Sequence, residues 1–233
     1  VTIVEKKAIY FDTIQIVVER PSDMTEIRPG QFFNLVSNSV GYPMLRRPIS
    51  VSGFSAETIE FTLKIVGKGT KSISEMSVGD KIEIMGPLGN GFEIGDVKKV
   101  LIVGGGIGVA PVKCLIQNWV NPETNIDVVL GFRDEPYLVE PFELRAHQLE
   151  IFSENNLSYK KGYVTEGVKN LIMNHTYDMV YACGPHVMLK SLSELCNKEG
   201  VTVQLLMEEK MACGIGACLV CTCKIRAGEF GYK

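Results

Sequence analysis

Four of the seven cysteines, Cys213, Cys218, Cys221 and Cys223, crowd into eleven residues near the end of the chain. Cys213, Cys218 and Cys221 stand in a C-x4-C-x2-C spacing, the plant-type arrangement of a 2Fe–2S cluster, which takes a fourth cysteine further along. Such a cluster needs thiolates that converge on two irons from a tight loop. Gly214 and Gly216 can adopt positive φ and, with Ala217, let backbone amides approach the sulfurs. A zinc knuckle or unrelated cysteines is the competing reading, but zinc sites more often show paired C-x2-C units. Cys223 follows Cys221 by two residues on one outgoing strand. Its side chain points the same way as that of Cys221 but is carried along at ~3.3 Å per residue. The fourth ligand is therefore expected beyond Lys233.

Four further segments have the chemistry of phosphate or nucleotide contacts. In Arg46-Arg47-Pro48-Ile49-Ser50, the planar fork of Arg47 can clamp a diphosphate. Pro48 stiffens the backbone, and Ser50 offers a hydroxyl to a polar ring edge. In Lys64-Ile65-Val66-Gly67-Lys68-Gly69-Thr70, a strand runs through glycines into an expected short helix, 71–76, with Thr70 as its N-cap. Free amides at a helix start favour phosphate. In Gly104-Gly105-Gly106-Ile107-Gly108-Val109-Ala110-Pro111, glycines follow an apolar run and open a helix, the context a nucleotide loop requires. Val109 occupies the last glycine position of the G-x-G-x-x-G pattern, so this is not the standard dinucleotide fingerprint. Cys183-Gly184-Pro185 ends an expected parallel strand, where ligands of open α/β sheets bind. Each segment also has a structural reading: a turn, a cap, a packing glycine, a small buried thiol. His147, His175 and His186 share no metal-binding spacing, and there is no evident catalytic carboxylate pair.

The elements that must position these residues fall into two regimes. Up to about residue 95 the chain reads as short strands with turns between them, notably 13–19, 31–36, 58–66 and 81–84. That pattern suggests an antiparallel barrel or sandwich. From about residue 98 it changes. The run 99–103 is continuously apolar, as a strand buried on both faces would be. Further strands are expected at 126–131, 179–183 and 201–206, with helices at 110–119 and 187–196. Strands alternating with helices indicate a doubly wound α/β domain. The expected organisation is β plus α/β: 1–96 as a barrel domain, 97–206 as a nucleotide-binding domain, and 207–233 as a cluster segment continuing past the end.

Composition sets the outer limits. Hydrophobic residues make up 45% and charged residues 22% of the 233, which excludes wholesale disorder. Twenty-four basic against 27 acidic side chains give a net charge of −3, so neither nucleic acid nor an anionic membrane is an expected partner. The longest uncharged apolar stretch, 100–112, contains four glycines and is short of the ~18–20 residues a membrane span needs. The start of the chain has no basic-then-apolar signal pattern. Crowded cysteines without such a signal point to a reducing, cytoplasmic setting.

The order of the motifs is more informative than any one of them. Arg-Pro-Ile-Ser, Gly-Lys-Gly-Thr, Gly-Gly-Gly-Ile-Gly-Val-Ala-Pro and Cys-Gly-Pro resemble the ferredoxin–NADP reductase superfamily over essentially the whole chain. Met211-Ala212-Cys213-Gly214-Ile215-Gly216-Ala217-Cys218 is similar to the loop of electron-transfer subunits of NAD-dependent dihydroorotate dehydrogenases. The resemblance implies FAD on the barrel, with Arg47 at the diphosphate, Ser50 near the flavin ring, and Pro48, Ile49, Lys64, Ile65, Val66, Gly69 and Thr70 completing the site. Ile49 stands where many relatives carry a stacking aromatic. Gly104, Gly105, Gly106, Gly108, Cys183, Gly184 and Pro185 would hold NAD, and Cys213, Cys218 and Cys221 would bind the 2Fe–2S cluster. It further implies an FMN-containing catalytic subunit as partner, in a heterotetramer, with electrons passing from dihydroorotate to NAD+ through cluster and FAD. No side chain of this chain need act as acid or base. A related role in a sulfhydrogenase or a ferredoxin:NADP oxidoreductase complex is the alternative.

Overall fold

The computed structural model describes residues 1–37, 45–225 and 231–232. Its first half is a six-stranded antiparallel sheet built from β1 (Ile3–Tyr10), β2 (Thr13–Glu19), β3 (Phe32–Ser37), β4 (Arg47–Phe54), β5 (Thr58–Lys64) and β6 (Ile82–Leu88). The strand order is β1-β2-β5-β4-β3-β6. In β2, Ile14, Ile16 and Val18 alternate inward, the period that a sheet with one buried face imposes. They meet Phe33, Leu35, Val51, Ile59, Phe61 and Leu63 in one core. The two edges join through a Thr2–Lys81 bridge and through Ile3 N–H to Asp80 O and Ile82 N–H to Val1 O, each 3.0 Å. That closure makes a barrel and removes the exposed edges.

β1 is an addition to the sequence expectation. Of its eight residues only Ile3 is buried, so it shows no apolar alternation. It is a strand because β2 supplies its hydrogen-bond partners. A helix follows β5, but it runs Lys68–Ser74 (α1), two to three residues earlier than expected, and Thr70 is not its N-cap. Gly67 occupies that position without a side chain to cap with. Thr70 reaches back instead, its Oγ1 accepting from Val66 N–H at 3.0 Å and Gly67 N–H at 3.2 Å. This is the returning half of a capping box.

The second half is a parallel sheet of β7 (Lys99–Gly105), β8 (Asn125–Phe132), β9 (Gln148–Ser153), β10 (Lys160–Lys161), β11 (Met179–Cys183) and β12 (Val203–Leu206). Its order is β10-β9-β8-β7-β11-β12. Helices α2 (Val109–Gln117), α3 (Glu140–Arg145), α4 (Val164–Asn174) and α5 (His186–Glu199) make the connections. The chain builds outward from β7 through β8 and β9, then returns to β11 on the other side. The strand order therefore reverses between β7 and β11, which is where such sheets open a crevice. Residues 100–105 are all buried, as a strand covered on both faces must be.

β9, α3 and α4 were not expected from the sequence. β9 (Gln148-Leu149-Glu150-Ile151-Phe152-Ser153) mixes polar and apolar residues, and its neighbour β8 fixes it as a strand. The two sheets meet through α2, which packs on β4. Its Cys114 enters the barrel core, and burial pushes that thiol up to about 12. Below the crevice, the buried Asp127 accepts from Tyr177 Oη at 2.7 Å and pairs with Lys99 Nζ at 3.3 Å and His147 Nδ1 at 3.2 Å. No helix among the described residues is long and apolar enough to cross a membrane.

Candidate functional site

Three cavities lie in a row and share walls. The first, about 290 Å³, is lined by Arg47, Pro48, Ile49 and Ser50 of β4, by Lys64 at the end of β5 with Val66 and Thr70 after it, and by Ile107, Ala110, Pro111 and Glu208 opposite. The second, also about 290 Å³, shares Ile107 and Glu208 with the first and adds Gly105, Gly108, Gly184 and Pro185. The third, about 480 Å³, shares Gly105 and Pro185 with the second. It runs on past Gly106, Gly131, Phe132, Arg133, Tyr163 and Thr165, over the carboxyl ends of β7 and β8. A separate polar cleft of about 540 Å³ between Asp134, Glu135, Asn155 and Ser158 shares no lining residue with them.

At the first cavity, Arg47 lies against Gly69. A Cβ on Gly69 would fall 1.9 Å from Arg47 Nε, so only glycine leaves the guanidinium its place beside the start of α1. The candidate FAD residues Arg47, Pro48, Ile49, Ser50, Lys64, Val66 and Thr70 all reach this cavity. Ile65 does not line it and packs against the barrel core instead. A barrel-side cradle with one arginine fork, hydroxyls and a lysine suits a flavin dinucleotide's diphosphate and ring edge.

At the second and third cavities, β7 ends and a single 3-10 turn, Gly106–Gly108, leads into α2. Gly106 has φ +54, a left-handed conformation that suits glycine. A Cβ on Gly108 would lie 2.5 Å from Cys183 O and 2.6 Å from Gly184 N. The two segments therefore touch backbone to backbone across the reversal point. Gly104 is different: a Cβ there would meet Val109, Val112 and Leu130, so its lack of a side chain serves helix–strand packing. Cys183 is buried beneath the cavity floor, with its thiol pushed up by burial and by the Glu208 charge. Pro111 stands in the first turn of α2, where its missing N–H costs nothing.

At the cluster loop, Gly214 and Gly216 have φ +72 and +79. These turns aim amides inward: Cys218 N–H points at Cys213 Sγ from 3.4 Å. The Cys218 amide leads, with those of Ile215 and Ala217, in pulling the Cys213 thiol down from 9.0 to about 6. A loop that favours thiolate is chemically suited to hold iron. Among the described residues, no three Cys, His, Asp or Glu side chains gather around a single-ion position.

Glu208 carries no motif in the sequence. It lines both smaller cavities with its side chain still exposed, and partial desolvation there raises its carboxyl above the ordinary 4.5. Its neighbours in sequence gave no signal, because only the return of the chain after β12 brings it to the crevice. Tyr163 and Thr165 were missed with α4, whose start places them.

The comparisons with known proteins agree with this layout. Residues 1–92 match the model of an oxidoreductase FAD-binding domain and residues 102–194 that of an oxidoreductase NAD-binding domain. Residues 208–233 match the iron-sulfur cluster binding domain of dihydroorotate dehydrogenase B. Among solved structures, the chain is similar to the NADH-dependent reduced ferredoxin-NADP oxidoreductase studied for flavin-based electron bifurcation. The TM-score is 0.87 at 30% identity, covering 99% of this chain and 83% of that one. Among curated relatives, it is 45% identical over 206 residues to the dihydroorotate dehydrogenase B (NAD(+)) electron transfer subunit of Caldanaerobacter subterraneus, covering 88% of this chain and 81% of that one. It is 44% identical over 205 residues to that of Clostridium acetobutylicum, with 88% and 80% covered. With 45% identity over 88% of its length and its last segment matching the cluster-binding domain model, the chain belongs to the family of electron transfer subunits of dihydroorotate dehydrogenase B (NAD(+)).

Proposed function

We propose that this chain receives electrons at its cysteine loop from an FMN-containing catalytic subunit that oxidises dihydroorotate, and delivers them to NAD+. The observation that carries the reading is the unbroken row of cavities from Arg47 and Ser50, past Glu208, to Gly105 and Pro185. When bound, FAD supplies the conversion between hydride exchange with NAD(H) and single-electron exchange with an iron–sulfur cluster.

The chain's own residues bind and orient. Arg47 holds the FAD diphosphate, with Thr70 and Lys64 beside it, and Ser50 faces the polar edge of the ring. Gly105, Gly106 and Gly108 let the dinucleotide approach the backbone, while Gly184 and Pro185 face its reactive end. Cys213, Cys218 and Cys221 ligate a 2Fe–2S cluster. The working units are 1–96, 97–206 and 207–233, assembled with the catalytic subunit as a heterotetramer in the cytoplasm.

The test is reconstitution. Anaerobic protein mixed with a dihydroorotate dehydrogenase catalytic subunit should oxidise NADH over many turnovers only when orotate is added. NADH oxidation driven by ferredoxin, and none by orotate, would point instead to a complex like that of its 30% identical structural relative.

A further inference from the structure

Asn34 lies in the middle of β3 and is 1% exposed, an unusual place for an amide. Its partner across the sheet is Pro48 on β4, with Phe32 opposite Ser50 in the same register. No irregularity interrupts this pairing, so Asn34, Pro48 and Ser50 share one face of the barrel. It is the face opposite that of Phe33 and Leu35, which fill the core. The cover over Asn34 is the cysteine loop. Its Nδ2 donates to the backbone oxygen of Cys213 at 3.4 Å. Gly214 sits so close that a Cβ there would lie 2.3 Å from Asn34 Nδ2. Two independent observations, a buried amide donor and a glycine that admits it, thus tie the first cysteine to the strand pair bearing Pro48 and Ser50.

We propose that Asn34 is the positioning residue that seats Cys213 on the strand pair bearing the candidate flavin residues Pro48 and Ser50, and so sets the spacing between cluster and flavin. This rests on the cofactor assignment above. An apolar residue of similar size would leave the Cys213 carbonyl unpaired beneath the loop, and an acidic one would set a negative charge against it. Displacements near 1 Å at a reacting centre cost on the order of ten- to a hundredfold in rate, so a modest slip of the loop is readable.

The experiment compares the wild-type protein with Asn34→Ala, Asn34→Asp and Gly214→Ala, and with the double variant N34A/G214A, all purified anaerobically. Three quantities are read: flavin and iron per chain, the rate of flavin bleaching by NADH, and the appearance and line shape of the reduced cluster's EPR signal. Both Asn34 variants should keep their flavin and bleach at a rate within about twofold of wild type. Cluster reduction should slow on the order of tenfold, with an altered EPR line shape. Gly214→Ala alone should be more damaging than in the Asn34→Ala background, because the clash needs both groups. Wild-type cluster reduction and line shape in both Asn34 variants, or additive effects in the double variant, would overturn the proposal. A wild-type protein lacking flavin or iron would instead sink the cofactor assignment itself.

Discussion

Lys113 Nζ on α2 lies 2.6 Å from Glu60 Oε2 on β5, joining the parallel sheet's first helix to the barrel. The two ends are not equivalent. The Lys113 side chain is 7% exposed and its second partner is the carbonyl of Ser52, whereas Glu60 is 31% exposed and also accepts from Gln15. Glu60→Ala strands a buried ammonium and is expected to cost about 2–3 kcal/mol, short of the value for a wholly buried pair. Lys113→Met keeps the volume and leaves Glu60 its water and Gln15, so it should cost less than about 1 kcal/mol. Urea unfolding of the two variants decides this, and equal costs would refute the asymmetry.

Gly69→Ala separates folding from cofactor binding. The new methyl would intrude on the Arg47 guanidinium, a flexible group that moves aside, while alanine favours α1 by about 1 kcal/mol. The variant should therefore be at least as stable as the parent. Its FAD affinity should fall on the order of tenfold or more, the value of one charge-assisted hydrogen bond. Fluorescence titration of the apoprotein with FAD measures it.

Gly108→Ala acts on the other cofactor. Here the obstruction is backbone, Cys183 O and Gly184 N, and it cannot rotate away. We expect a loss of about 1–3 kcal/mol in stability. Flavin content should be normal, but flavin bleaching by NADH should be strongly slowed. Stopped-flow traces at the flavin band would show it.

Glu208 makes stability depend on pH in a defined direction. Partial desolvation at the cavity rim raises its carboxyl in the folded chain above 4.5. Well below 4.5 the group is neutral in both states and its partial desolvation carries no charge penalty. As pH rises past 4.5 the unfolded chain ionises first, and stability is lost until the folded carboxyl ionises too. Glu208 keeps an exposed side chain at the cavity rim, so solvent screens the effect: Glu208→Gln should raise the Tm at pH 7–8 only slightly, and the gain should vanish below about pH 4. A constant gain across that range would contradict the assignment.

Much of this was legible in the residues because the relevant signals are local. The alternation of β2 and β5, the apolar run of β7 and the glycines after it each sit within one element. What stayed hidden depends on distant partners. β1 is charged and is made a strand by β2. Thr70 caps backward because Gly67 has nothing to cap with. Glu208 and Asn34 gain their places only when the chain returns, Glu208 to the crevice and Asn34 beneath Cys213. Ile65, read as part of the FAD site, turns into the core because its neighbours Lys64 and Val66 take the cavity side of the alternation.

The central claim is that NAD(H), FAD and the cysteine loop form one electron path, and an anaerobic visible titration with NADH addresses it directly. The account predicts a flavin spectrum with red-shifted iron–sulfur bands, both bleaching as NADH is added. Flavin that stays oxidised with NADH and with NADPH would contradict it, and would leave the 104–108 loop a packing device rather than a nucleotide site.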